Sequence, residues 1–126
     1  MHWLALGMAW LVALAIIAIG IGYLARPRLM TGSFGLPQPE DGPHIPWWLR
    51  LKGVRDIVAG LAVLAFLAWG GPREVGLLLL VQALIPTGDM LVVLAAKGSQ
   101  KTALGIHGLT AVLMVVGAIV LLAGVS

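Results

Sequence analysis

The sequence contains no cysteine, and only 10% of its 126 residues are charged. The absence of cysteine excludes disulfides, thiolate catalysis and cysteine-ligated metal sites. The scarcity of charge, together with 60% hydrophobic residues and a mean hydropathy of +1.04, excludes an ordinary soluble domain and indicates an integral membrane protein. The net charge of +3 is spread over connecting segments, so we expect no nucleic acid among the partners.

Four long apolar runs predict an all-α membrane protein, an antiparallel bundle of four transmembrane helices that forms one domain over residues 1–126. Each run approaches the ~20 residues that cross ~30 Å of hydrocarbon at ~1.5 Å per residue. The predicted helices cover about residues 3–24, 51–69, 75–96 and 102–125. The first run lacks a preceding basic residue and a small-x-small cleavage site, so we expect a retained helix rather than a signal peptide.

Basic residues are concentrated in two of the three connections, which sets the predicted orientation. The segment between the first two runs carries four of them, and the turn at 97–101 carries two. By the positive-inside rule these connections face the cytoplasm and both termini are extracytoplasmic. The expected interfacial aromatic residues are Trp3 and Trp69 outside, and Tyr23, Trp47 and Trp48 inside. We expect an integral protein of the bacterial plasma membrane.

The connection between the first two runs, residues 26–50, is rich in proline and glycine. Five prolines and three glycines exclude one continuous regular helix there. A long segment of this kind in a small protein is either a functional lid or disordered. The apolar pieces Phe34-Gly35-Leu36 and Ile45-Pro46-Trp47-Trp48 favour a loop that packs back onto the bundle.

Ionisable side chains recur at one depth within runs that are otherwise hydrocarbon. Arg55 and Asp56 lie near the start of the second run, Asp89 lies within the third, and His107 within the fourth. Placing an ionisable group in a bilayer core costs at least ~2.5–3.5 kcal/mol, so such groups are usually paired and functional. The two aspartates and the histidine lie ~8–12 Å from the cytoplasmic ends of their helices, at ~1.5 Å per residue. We therefore predict a polar pocket that opens toward the cytoplasm.

Helical spacing adds neutral residues to this pocket. Gln82 shares a face with Asp89, and Thr110 shares one with His107. Pro86 cannot donate to the Gln82 carbonyl, which leaves that oxygen available to a ligand or water. The candidate residues for acid–base catalysis are Asp89, His107 and Asp56, and those for substrate binding are Arg55, Gln82, Thr110, Trp48 and Phe34.

Several of these residues also have a purely structural interpretation. Lys52 and Asp56 form an i,i+4 pair that is typical of a helix start. His107 could be a core histidine that donates to a backbone carbonyl. Asp89 is the hardest to explain structurally, because a carboxylate deep in a span needs a partner or a proton. A pair between Asp89 and His107 would satisfy both groups.

Four motifs along the chain resemble those of a known family. They are Phe34-Gly35-Leu36-Pro37, Lys52-Gly53-Val54-Arg55-Asp56 with Gly60, Pro86-Thr87-Gly88-Asp89, and His107-Gly108 with Thr110-Ala111. The chain is similar, from the first helix to the last, to small four-helix integral membrane proteins grouped as a domain of unknown function. The resemblance implies the four-helix topology and brings no established activity.

Three classes of function fit these residues. We favour a cofactor-free acid–base enzyme of the isomerase or cyclase type that acts on a lipophilic small molecule or lipid, with Asp89 and His107 moving a proton and Arg55 holding an anionic or carbonyl oxygen. Without a Glu-x-x-His pattern or a phosphate loop, we expect neither a metal nor a cofactor. The alternatives are a proton-linked transporter or ligand-binding subunit, and a scaffold subunit of a membrane complex. A homodimer fits all three, because four short helices wall a pocket only partly.

Overall fold

In the computed structural model, which describes residues 1–124, every regular element is helical. The α-helices are α1 (His2–Ala25), α2 (Pro27–Met30), α3 (Ile45–Trp69), α4 (Pro72–Gln82), α5 (Leu84–Ala95), α6 (Gln100–Thr102) and α7 (Leu109–Ala123). A 3-10 turn at Thr31–Ser33 follows α2, and a π-helical turn at Ala103–Gly108 joins α6 to α7. The predicted all-α fold is confirmed for this part of the chain.

Three helical segments are long and apolar enough to cross a membrane. They are α1, the α4–α5 rod Pro72–Ala95, and the α6–α7 rod Gln100–Ala123. The length and composition of these segments identify an integral membrane protein. Although α3 has 25 residues, it differs in composition from these three because its first half carries Arg50, Lys52, Arg55 and Asp56.

Two helix boundaries differ from the predicted ones for reasons that involve proline. Helix α3 begins at Ile45 rather than 51, because Pro46 occupies its first turn, where the missing N–H leaves no hydrogen bond unmade. The predicted irregular connection 26–50 was therefore too long, since within it only Arg26 and residues 34–44 lie outside helical turns. The third predicted helix is interrupted at Ala83, because Pro86 has no N–H to donate to the carbonyl of Gln82.

The first and fourth predicted helices agree closely with α1 and with the α6–α7 rod. The structure begins the first at His2 and ends it at Ala25, and it begins the fourth at Gln100. The predicted end of the fourth helix, Val125, lies outside the described residues.

Helices α1 and α3 pack with their backbones in contact. A Cβ atom built on Gly53 would lie 2.6 Å from the carbonyl oxygen of Gly20, and one built on Gly60 would lie 2.7 Å from that of Ala13. A Cβ atom at either position would clash, so glycine permits this close approach of the two helices, a mode of packing that is common in membrane proteins. This contact joins α3 firmly to the first membrane-crossing helix.

The second half of the chain forms another pair of packed helices. Helix α4 lies against α7, and α7 also contacts α1. The buried apolar side chains of this pair include Val75, Leu79, Met114 and Leu121, and Val63 of α3 belongs to the same core. Beyond the interruption at Ala83, α5 packs on the π turn and on α7, whereas the contact with α3 is made by α4. A groove therefore lies between α5 and α3.

Candidate functional site

The groove between α3 and α5 has a volume of about 360 Å³. It is lined by Trp48, Leu51, Lys52, Arg55 and Asp56 from α3 and by Ile85 and Asp89 from α5. Two cations and two carboxylates thus share one cavity with three apolar side chains. The mixture suits an amphiphilic molecule, whose polar atoms meet the charges while its hydrocarbon contacts the apolar wall.

Asp89 faces the groove on one side and His107 on the other. Its Oδ2 atom lies 4.0 Å from Nδ1 of His107. That separation is an ion-pair distance and exceeds a direct hydrogen bond, so one water molecule or a small side-chain movement would connect the two groups. The side chain of Asp89 is 33% exposed and that of His107 is 11% exposed. The carboxylate can therefore reach a ligand, while the imidazole lies behind it.

The other ring nitrogen of His107 determines where the protons of this pair lie. Nε2 is 2.8 Å from the carbonyl oxygen of Phe34. A carbonyl oxygen only accepts hydrogen bonds, so Nε2 carries a hydrogen and donates it. Nδ1 then turns a lone pair toward the Asp89 carboxylate, and the two acceptors need one proton between them. The arrangement is suited to giving and receiving a single proton.

The carbonyl that holds His107 belongs to a short strap, which we define as residues 34–35. The Phe34 ring lies 4.5 Å from the His107 ring, centroid to centroid. Gly35 has a φ of 100°, which glycine adopts at little cost, and its carbonyl accepts a 2.8 Å hydrogen bond from the Ser99 N–H. The strap therefore fixes the connection after α2 onto the π turn and the preceding loop.

The second carboxylate of the groove, Asp56, is already paired. Lys52 Nζ lies 2.7 Å from its Oδ2 atom and 4.3 Å from the centre of the Tyr23 ring. This is the i,i+4 pair that the sequence suggested. Arg55, by contrast, is exposed and makes no side-chain hydrogen bond or ion pair within residues 1–124. Arg55 is therefore the cation best placed to receive an anionic or carbonyl oxygen.

The structure brings four of the eight candidate residues to the groove, namely Asp56, Asp89, Arg55 and Trp48. His107 and Phe34 lie behind Asp89. Gln82 lies outside the groove lining, because it precedes the interruption at Ala83 and its amide donates to the carbonyl of Ala59 on α3 at 3.1 Å. Thr110 donates to the carbonyl of Ile106 in its own helix at 2.7 Å. Neither side chain needs a ligand as a partner.

Sequence reasoning missed three side chains that line the groove. Leu51 and Ile85 carry no polar signal, and Lys52 had been assigned only to a helix-start ion pair. The π turn that presents His107 has no sequence signature either. Among residues 1–124 there is no group of three or more histidine or acidic side chains that could hold a metal ion.

Comparison with known proteins gives a family for the chain. A sequence model described as a domain of unknown function, DUF4267, matches residues 13–122. All four motifs noted in the sequence lie within this match, and the predicted resemblance to a family of unknown function is confirmed. No curated protein and no solved structure matches the chain. Because the match covers most of its length, the chain belongs to the DUF4267 family.

Proposed function

We propose that this protein is a membrane-embedded, cofactor-free acid–base enzyme of the isomerase or cyclase type. Its substrate would be a lipophilic small molecule with a carbonyl or anionic oxygen, bound between α3 and α5. The observation that carries the proposal is the position of Asp89, which lines the groove and lies 4.0 Å from His107 Nδ1. A carboxylate that meets the ligand is thus backed by a second group that exchanges protons.

The reaction would move one proton within the substrate. Asp89 removes a proton from a carbon next to a carbonyl group, and the electron pair of the broken C–H bond moves to the carbonyl oxygen. Arg55 stabilises the negative charge on that oxygen. The proton then returns to a different carbon, directly from Asp89 or by exchange with His107, so no external oxidant or reductant is consumed.

The proposed arrangement places α3 across the membrane as the fourth helix of one antiparallel bundle. The support is the backbone contact between α3 and α1 at Gly20 and Gly53, because α1 is itself long and apolar enough to span a bilayer. The groove then lies near the ends of the helices that carry the basic connections. In this topology it opens from the cytoplasmic half of the membrane.

An exchange assay tests the enzyme proposal directly. The protein, in phosphatidylcholine nanodiscs in D₂O, would be given a twelve-carbon β,γ-unsaturated methyl ketone, and in parallel its saturated analogue. We expect double-bond migration and deuterium incorporation at the α-carbon at least ~100-fold above empty nanodiscs, the scale of general acid–base catalysis. The ultraviolet absorbance of the conjugated product measures double-bond migration, and mass spectrometry measures deuterium incorporation. Rates equal to those of empty nanodiscs for both ketones would contradict the proposal.

A proton-linked transporter is a second candidate, supported by two helix irregularities. The interruption at Ala83 and the π turn at Ala103–Gly108 are features that line binding sites in transporters and other functional proteins. Proteoliposomes with an imposed pH gradient separate the two functions. Gradient-driven accumulation of an unchanged ketone would favour transport, whereas isomerisation without a gradient favours catalysis.

The orientation gives a prediction of its own. A reporter enzyme active only in the cytoplasm, fused after residue 126, should remain inactive, because the positive-inside rule places the carboxyl terminus outside. The same reporter inserted between Lys97 and Lys101 should be active. If the terminal fusion were active and the loop insertion inactive, the protein would have the opposite orientation.

A further inference from the structure

A second groove, of about 290 Å³, lies where α1, α2 and α3 meet. It is lined by Arg26, Pro27, Arg28, Leu29, Pro46 and Arg50. At ~100° per residue, Pro46 and Arg50 share one face of α3, whereas Lys52 and Arg55 of the first groove lie on the opposite face. The two grooves are therefore separate, and an inference from the second does not depend on the proposed enzyme activity.

Three guanidinium groups converge on this second groove. Arg28 is held by the following loop, since its Nη1 and Nη2 atoms bind Asp41 Oδ1 at 2.8 Å and the Gly42 carbonyl at 2.9 Å. Arg50 uses Nε to donate to the Leu24 carbonyl at 3.1 Å, which leaves its two terminal NH₂ groups for another acceptor. The Arg26 side chain makes no hydrogen bond or ion pair within residues 1–124.

The charge balance of the groove favours an anion. Three positive side chains face one carboxylate, that of Asp41, whose side chain is 99% exposed. One guanidinium group can donate two parallel hydrogen bonds to the oxygens of a phosphate. It is also more weakly hydrated than an ammonium group, so less bound water has to be removed when the anion binds. Arg26 and Arg50 are the two guanidinium groups of this groove that pair with no carboxylate within residues 1–124, so they are the best placed to bind such an anion.

Apolar surface adjoins these arginines and distinguishes a lipid from a free anion. Leu29 is 68% exposed and Trp47 is 64% exposed, and the Cζ atom of Arg50 lies 4.9 Å from the centre of the Trp47 ring. The groove lies where α1 ends and α3 begins, at the level where headgroups are found. We propose that the groove binds the phosphate of an anionic phospholipid, with the acyl chains lying against Leu29 and Trp47.

Native mass spectrometry of the detergent-solubilised protein with equimolar phosphatidylglycerol and phosphatidylcholine tests this proposal. We expect preferential retention of phosphatidylglycerol. Arg26→Gln should lower its affinity about fivefold and Arg26→Gln/Arg50→Gln about 25-fold, since each interfacial arginine contributes about 1 kcal/mol. Arg73→Gln, the same change at the start of α4, is the matched control and should retain the wild-type preference.

Three results would overturn the proposal. They are equal retention of the two lipids, an equal effect of Arg26→Gln and Arg73→Gln, and complete displacement of phosphatidylglycerol by 10 mM inorganic phosphate, which would identify a free-phosphate site. Loss of Arg50 also removes the donor to Leu24, so circular dichroism must show that the double variant is folded. Arg26→Gln breaks no side-chain hydrogen bond of the described residues. If the double variant does not fold, the single Arg26→Gln variant decides the question.

Discussion

Asp89→Asn should lower the isomerisation rate of the ketone at least ~100-fold and leave the protein folded. The amide has nearly the same shape and can still hydrogen-bond, but it cannot accept the substrate proton, and a positioned acid–base group contributes ~10²–10⁴-fold to a rate. Initial rates in nanodiscs and the melting temperature in detergent measure the two effects. The matched control is Asp41→Asn, the same change at a loop carboxylate that is 99% exposed.

His107 provides the second test of the same pair. His107→Gln should slow exchange less than Asp89→Asn does, because the imidazole lies behind the carboxylate and does not line the groove. In the double variant the rate should equal that of Asp89→Asn alone, since two groups that share one proton act as a unit. A fully active Asp89→Asn protein would rule out both catalysis and proton-coupled transport.

A structural role for Asp89 would give a different pattern. If the carboxylate only held helices together, Asp89→Asn would keep its activity, and Asp89→Leu would lower the melting temperature by leaving His107 Nδ1 without a partner. That result would favour the scaffold hypothesis.

Gly53→Val should lower the free energy of unfolding by about 3 kcal/mol, near the upper end for overpacked sites. The new Cβ would lie 2.6 Å from the Gly20 carbonyl oxygen, and a backbone atom in a helix cannot move aside as the end of a side chain can. The measurement is unfolding in mixed micelles of increasing dodecyl sulfate content, followed by far-ultraviolet circular dichroism. Gly60→Val should have a similar effect, because its Cβ would lie 2.7 Å from the carbonyl oxygen of Ala13.

Gly7→Val is the matched control for this helix contact. Gly7 lies in the same membrane helix as Gly20, but a Cβ built on it meets no atom within 4 Å. Its replacement should therefore change stability little, apart from the small helix-propensity difference of glycine and valine. Equal stability of the Gly7→Val and Gly53→Val proteins would show that the backbone contact between α1 and α3 does not hold the fold together.

The depth of the polar residues could be read from the sequence because it depends only on helix rise. Counting residues from the basic connections placed Asp56, Asp89 and His107 at nearly one level, and the structure groups them at one end of the helices. The free carbonyl of Gln82 could be predicted in the same way, because Pro86 has no N–H wherever it lies, but the predicted helix 75–96 did not include the interruption at Ala83.

The faces that the helices turn toward each other could not be read in the same way. Apart from the first half of α3, these helices are apolar all round, so no hydrophobic stripe marks an inward face. Gln82 shares a helical face with Asp89, yet its amide donates to the Ala59 carbonyl of α3 outside the groove, whereas Asp89 lies between the groove and His107. The bond from His107 to the Phe34 carbonyl joins residues 73 positions apart, a separation that no local pattern predicts.

The π turn at Ala103–Gly108 has a consequence for the ancestry of the family. A π turn closes its hydrogen bonds over i→i+5, one residue more than an α-helical turn, so it can arise in an α-helix by insertion of a single codon. Deleting the one extra residue of the π turn would restore an α-helical turn and rotate the helix before it by ~100° relative to the helix after it. We therefore expect that DUF4267 relatives with a one-residue deletion within Ala103–Gly108 also lack a histidine at the position of His107. The two changes should be inherited together.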